Sequence, residues 1–247
     1  LDDEPETIHA AMNLLDRRLK LSPGESERLA PFGWRMLERE SALEGTMAQH
    51  YWGELSSHYV KIDPVKTAET ILKIIEKGKI FLQDDPPMKA LAEATRSRPK
   101  EVWDRAAKVL LQKGEHAYRL QLHLKCWYVE LVPVDQLLAW ASRCAPKGPR
   151  VLAALTLPSG RPMATLPREL LVRFGDDEYV GEGLHANFVS GSFTGTMTDW
   201  LRNKLETART WTSDLHPRVC DWAQKVVKNL EERIQKWAKY EQEEQIT

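Results

Sequence analysis

Several stretches of this sequence hold residues whose types and spacing could do chemistry. In "HYWGELSSHY", His50, Glu54 and His58 stand four residues apart, and two imidazoles with a carboxylate are nearly a metal-ligand set. On a helix, steps of four drift, so the outer pair would point roughly 80° apart. No second carboxylate motif completes the set, and Tyr51, Trp52 and Tyr59 beside it read as a helix that packs at an interface. No metal site is expected there. In "GSFTGTMTDWLRNK" a Gly-rich link runs into a helix start near Thr198, with Lys204 one to two turns later. Free N–H groups at such a start attract anions. A phosphate loop, however, needs Gly-Lys-Ser/Thr at the helix start, and Gly195 is followed by Thr-Met-Thr. Thr198 acting as a plain N-cap is the simpler expectation.

Nucleophiles fare no better. There is no Gly-x-Ser-x-Gly elbow, and no histidine can be paired from sequence with Cys126, Cys144 or Cys220. Cys126, in "KCWYVEL", is expected inside a helix as inert filler. The acidic run Asp176, Asp177 and Glu178 is expected at a helix start, where carboxylates meet the positive end of the dipole. The expectation is therefore no enzyme, no catalytic residue and no cofactor.

One charge pattern stands apart. No acid occurs between Asp135 and Glu169, yet Arg143, Lys147, Arg150, Arg161 and Arg168 do. The loops "APKGP" and "LPSGRPMATLP" would place several of these at helix-hairpin edges. Three readings stay open: a solvated rim, a face for an acidic protein surface, or a contact for a nucleic-acid backbone. These five residues are the candidate binding site.

The elements that must carry them are helical. No run alternates apolar and polar residues between tight-turn signals, as a sheet would need. "PVKTAETILKIIEKG" sets Ala68, Ile71, Leu72 and Ile75 on one face and is expected to stop at Gly78. "PKEVWDRAAKVLLQKG" does the same with Val102, Trp103, Ala106, Ala107 and Leu110, with a stop at Gly114. The prolines recur. Pro31, Pro64, Pro99, Pro133 and Pro167 mark a period near 34 residues, and apolar residues fall at offsets of 4, 7, 8 and 11 after the middle three. Pro167 keeps the first two offsets, and Pro31 is out of phase. Room for one further helix lies between consecutive markers. Two helices per period of 34 predict an all-α fold, an α-solenoid of antiparallel helix hairpins. The expected organisation is hairpin repeats over 1–190, a Gly/Ser-rich link over 191–197, a closing helix pair over 198–240 and a polar tail over 241–247.

Tetratricopeptide repeats share this period, but their Trp-x-x-Leu-Gly-x-x-Tyr start fits no unit here. "DLHPRVCDWAQKVVKNL" instead resembles the second helix of a HEAT repeat, where Asp-x-x-Pro-x-Val leads into a small-residue contact and a Leu. With "FGDDEYV" and "SGSFTGTMTDW", residues 168 to 234 resemble the closing unit of HEAT-like regions in large bacterial multidomain proteins. Some of these are STAND-type NTPases and related antiviral defence proteins, whose C-terminal repeats recognise the trigger. The resemblance implies an architecture and a recognition role; no Walker A sequence accompanies it. Trp222 and Trp237 are then expected to cover the flank of the last unit.

Composition bounds the function. Among 247 residues, 35 basic side chains nearly cancel 36 acidic ones, so there is no global field for nucleic acid or anionic lipid. Three scattered cysteines exclude a disulfide framework and suit a reducing cytosol. The longest apolar runs are too short to span a bilayer, and no secretory leader is seen. The chain begins at Leu1, which suggests a piece of a longer protein. The reading is a cytoplasmic, non-enzymatic recognition or scaffold module that binds a protein partner or braces neighbouring domains. The alternative is a HEAT-like DNA-binding protein or DNA glycosylase, with Trp103 beside Asp104, or Asp199 beside Trp200, as superficial matches to its catalytic pair.

Overall fold

The computed structural model describes residues 4–39, 48–77, 85–112 and 114–244. Among them every regular element is a helix, thirteen α-helices with two short 3₁₀ turns and no strand. None of these helices is long and apolar enough to cross a membrane. The chain divides into two compact units, Leu1–Leu124 with Leu131–Pro133, and Lys125–Glu130 with Val134–Thr247.

The first unit holds α1 (Pro5–Leu21), α2 (Ser26–Leu37), α3 (Ala48–Tyr59), α4 (Pro64–Glu76), α5 (Pro86–Ser97), α6 (Pro99–Leu110) and α7 (Glu115–Leu124). The sequence starts α4 well: Pro64 fits the first turn, and the Asp63 carboxylate accepts the Lys66 N–H at 2.9 Å. Its stripe of Ala68, Ile71, Leu72 and Ile75 is buried, as are Val102, Trp103, Ala106, Ala107 and Leu110 of α6. Gly78 lies outside the described residues. Gly114 does not stop α6, which ends at Leu110; Gly114 sits four residues on, at φ 118°. Pro31 is inside α2 and marks no start, because that helix begins five residues earlier at Ser26.

Alternate helices pack on one another. α3 lies against both α1 and α5, while α4 lies against α5, α6 and α7. The core is aromatic at its centre. Trp52 donates its indole N–H to Leu37 O at 3.1 Å, and Tyr59 donates its hydroxyl to Leu29 O at 3.1 Å. Burial pushes the Tyr59 phenol up to about 12. Gly33 is needed for this approach, since a Cβ there would collide with the Tyr59 ring.

The second unit holds α8 (Val134–Arg143), α9 (Lys147–Leu155), α10 (Thr165–Phe174), α11 (Glu178–Phe188), α12 (Met197–Trp211) and α13 (Pro217–Glu244). α9 packs on α8 and α11, α10 packs on α8, α9, α11 and α13, and α12 packs on α13. Asn187, 3 % exposed, sends its amide to Ala153 O, Ala154 O and Thr156 O at 2.9–3.0 Å. These are carbonyls at the open C-terminal end of α9, which need donors from outside the helix. Cys126 is not in a helix: α7 ends at Leu124, and Cys126 turns through φ 71° with its N–H on Leu155 O. Burial raises its thiol, so it is no better a nucleophile for leaving the helix.

The closing pair departs from expectation at its end. Trp222 is buried, but Trp237 is half-exposed. Beyond it the chain stays helical to Glu244, and the Glu241 carboxylate accepts the Thr198 N–H at 3.2 Å. That contact sets the start of α12 beside the end of α13, so the two run antiparallel.

Candidate functional site

The His50, Glu54, His58 row holds no metal site. Glu54 takes the Lys20 ammonium at 2.9 Å, and His58 Nε2 lies 3.0 Å from Asp16 Oδ1, while Lys20 also reaches Asp16 at 2.9 Å. His50 points to solvent. The drift of a four-residue step sends the three side chains apart, and two of them join an ion-pair network between α1 and α3. Among the described residues no three His, Cys, Asp or Glu side chains are grouped to hold a metal.

The Gly-rich link ends in a cap, though not the expected one. Thr196 is the N-cap of α12, accepting the Asp199 N–H at 3.1 Å. Thr198 sits two positions inside the helix, 4 % exposed. Lys204 lies over the rings of Phe188 and Trp200, at 4.9 and 5.5 Å from their centroids, and burial lowers its ammonium from the ordinary value. The Thr198 and Asp199 N–H groups are thus taken by Glu241 and Thr196, and Lys204 is drawn onto the rings.

The five basic candidates all lie in the second unit. Arg143 ends α8 and Lys147 begins α9; both are exposed, and neither has an ion-pair partner among the described residues. The other three are engaged within the chain. Arg150 Nε donates to Asp177 at 2.8 Å while its guanidinium lies 4.2 Å over the Tyr179 ring. Arg161, on the loop before α10, donates to Thr207 Oγ1 at 2.8 Å and stands 3.9 Å from Glu206. Arg168 forks onto both oxygens of Asp214 at 2.8 and 2.9 Å. The Arg168 guanidinium holds the Asp214 carboxyl below its ordinary value, opposed by burial and helped by the His216 N–H. The acid-free run is therefore no continuous cationic surface. Its acids arrive from later in the chain.

Sequence reasoning missed those acids, and the motifs carried the signal. Asp177 caps α11, accepting the Tyr179 N–H at 3.1 Å, and Asp214 accepts the His216 N–H at 2.9 Å just before α13. Each capping carboxylate has a second oxygen or lone pair to spare, and an arginine from an earlier helix takes it. Arg218 works in reverse: from α13 it donates to Val172 O at 2.8 Å and pairs with Asp176. Asp104 is likewise engaged, by Lys100 at 2.8 Å, and Asp199 by Arg202 at 3.1 Å.

One groove of about 500 Å³ opens between α11 and α13, against the end of α10. Buried Leu171, Trp222 and Val226 form its floor. The Trp222 indole donates to Gly181 O at 2.9 Å, an approach that leaves little space for a side chain at Gly181. His185 lines the groove with its Nε2 buried and without a hydrogen-bond partner. Burial holds that imidazole below its ordinary value, Arg233 adds to the shift, and a hydrogen bond with Asn229 opposes it.

Comparison of the chain with protein-family models, with curated proteins and with solved structures finds no match.

Proposed function

We propose that this chain is a non-enzymatic recognition or scaffold module, built of HEAT-like helix hairpins and binding a protein partner. The observation that carries the reading is that residues one repeat apart touch. Lys20 meets Glu54, and Asn187 meets Ala153, each pair 34 residues apart. Contacts at the sequence period are what stacked, equivalent hairpins produce. Such stacks present surface to a partner, and the α11–α13 groove is a surface groove of that kind. The resemblance of residues 168 to 234 to closing units of large bacterial proteins adds a context, the trigger-sensing end of a defence-type protein working in the cytoplasm. With Arg150, Arg161 and Arg168 committed internally, Arg143 and Lys147 are the cations of the run left for a partner. That is too few for a nucleic-acid contact of ordinary strength.

The test is capture followed by reconstitution. The tagged chain should retain a specific protein from lysate of its source cells, and the purified pair should co-elute at fixed stoichiometry. Failure to reconstitute any complex sinks the reading. A duplex-DNA gel shift at physiological salt should show no retained species; a stable shift would replace this reading with the nucleic-acid one.

A further inference from the structure

The rim of the α11–α13 groove is acidic. Asp176, Glu178, Glu182 and Asp221 stand around it against Arg218 and Lys225. Arg218 is already paired with Asp176. Glu178, Glu182 and Asp221 are exposed and have no cationic partner among the described residues. Exposed carboxylates above an apolar floor of Leu171, Trp222 and Val226 match one kind of side chain. A lysine or arginine can lay its methylenes on the floor and hold its charge at the rim. Arg233 stands near His185 and Lys225 also lines the groove, so the cation belongs toward the starts of α11 and α13, among Glu178, Glu182 and Asp221. The volume, about 500 Å³, lies within the ordinary range for ligand sites, about 300–1,000 Å³.

We propose that this groove is a docking site for a basic peptide segment, with a lysine or arginine side chain of the partner held between Glu178, Glu182 and Asp221. The proposal rests on the recognition-module reading and names the chemistry of the partner. It is tested with the full chain and a fluorescein-labelled octapeptide carrying three arginines in a Ser/Ala background, read by anisotropy. Parallel titrations use the same peptide with glutamates in place of the arginines. The triple variant E178Q/E182Q/D221N should weaken the basic peptide by about tenfold or more, as loss of facing charges at an interface does. The control E93Q/E101Q/D135N changes net charge equally at exposed acids outside the groove and should leave binding within about twofold. Melting curves of both variants check that they fold.

Three results overturn the proposal: no binding of the basic peptide, equal binding of the acidic one, or an equal loss in the control. The two readings fail separately. A natural partner still held by E178Q/E182Q/D221N keeps the recognition module and removes this groove from it.

Discussion

Between α9 and α11 the Asn187 amide meets carbonyls 31 to 34 residues back, whereas three contacts from α10 and the loop before it to the closing pair span 46 residues. Asn187 reaches back to Ala153 at the shorter step. Arg161 to Thr207, Arg168 to Asp214 and Val172 to Arg218 all use the longer one. The longer step arises because α12 stands between α11 and α13, and it is α13 that packs on α10. The means of attachment differ too. The shorter step is joined by a buried amide filling the carbonyl end of a helix. The longer one is joined at its margin by arginines on carboxylates and hydroxyls, with a tryptophan cluster inside. The same unit thus joins its helices by a buried amide in one place and by charged margins in the other.

Removing the cluster should give the largest effect. Trp211 packs on Phe188 and Trp222, with ring centroids 4.8 and 6.0 Å away, and donates its indole N–H to Gly160 O at 2.9 Å. Trp211→Ala should destabilise by about 3–5 kcal/mol. Urea melts would give the loss, and hydrogen exchange should place it in α12 and α13. An equal loss of protection throughout α1 to α7 would break the distinction between the closing pair and the rest. Next comes Asn187→Ala, which removes a donor from the carbonyls of Ala153, Ala154 and Thr156, though the Thr156 N–H still reaches Ala153 O, and should cost about 2 kcal/mol. Asn187→Asp sharpens the point, because a carboxylate facing the same carbonyls should be worse than alanine.

The arginine forks should matter less, since solvent screens them. Arg168 keeps 32 % of its side chain exposed and Asp214 12 %, so Arg168→Ala should lose about 1 kcal/mol near neutral pH. Its pH signature is more telling than its size. Asp214 is lowered in the folded state. Its contribution is thus complete above the unfolded value of about 3.9 and disappears as pH falls through the lower folded value. Arg168→Ala and Asp214→Asn should both flatten stability in that acid window. His185 is also lowered, but as a base its sign is read differently. The unfolded chain takes the proton first, so stability should decline as pH drops below about 6.5. His185→Gln should remove that slope and leave the Asp214 window intact.

What could be read in the sequence, and what could not, follows from the range of the interactions. The stripes of α4 and α6 were legible because a helix face is set by residues three and four apart. The stop of α6 was less so: Leu111 and Gln112 carry on as a turn, hydrogen-bonded to Ala107 O and Val109 O, which no composition signal marks. Cys126 in the left-handed region had no signal either, since glycine or asparagine is the residue expected there. The cap of α12 was misplaced by two residues because Thr196 and Thr198 both have capping side chains. The basic run misled for a deeper reason. Counting acids between 135 and 169 is a local measure, and the partners Asp177, Glu206 and Asp214 come from later in the chain, two of them from the approaches to helices. Asp-x-x-Pro and Gly-Asp-Asp were visible, but a cap does not announce that its second oxygen is taken.

The smallest effect should come from the link itself, and it bears most directly on the two steps. Gly191 and Gly195 adopt φ 136° and 89°, and nothing lies within 4 Å of where their side chains would be. The link between α11 and α12 meets the packed helices through Phe193, whose ring lies 5.7 Å from that of Trp200, while the closing pair is held by Trp211, Arg168 and Arg218. Six Gly/Ser residues inserted after Ser192 about double its length, which should cost about 0.6 kcal/mol in closure entropy. The same insertion in the turn between α8 and α9 should cost far more. Just past that turn, in the first turn of α9, the Gly148 N–H reaches Cys144 O at 2.8 Å, and a Cβ on Gly148 would press on Ala141 O at 2.9 Å, so the turn is held by the packing. Paired urea melts of the two insertions measure the difference. Equal losses would mean that the link sets the 46-residue step; a large gap means that the side chains beyond it do.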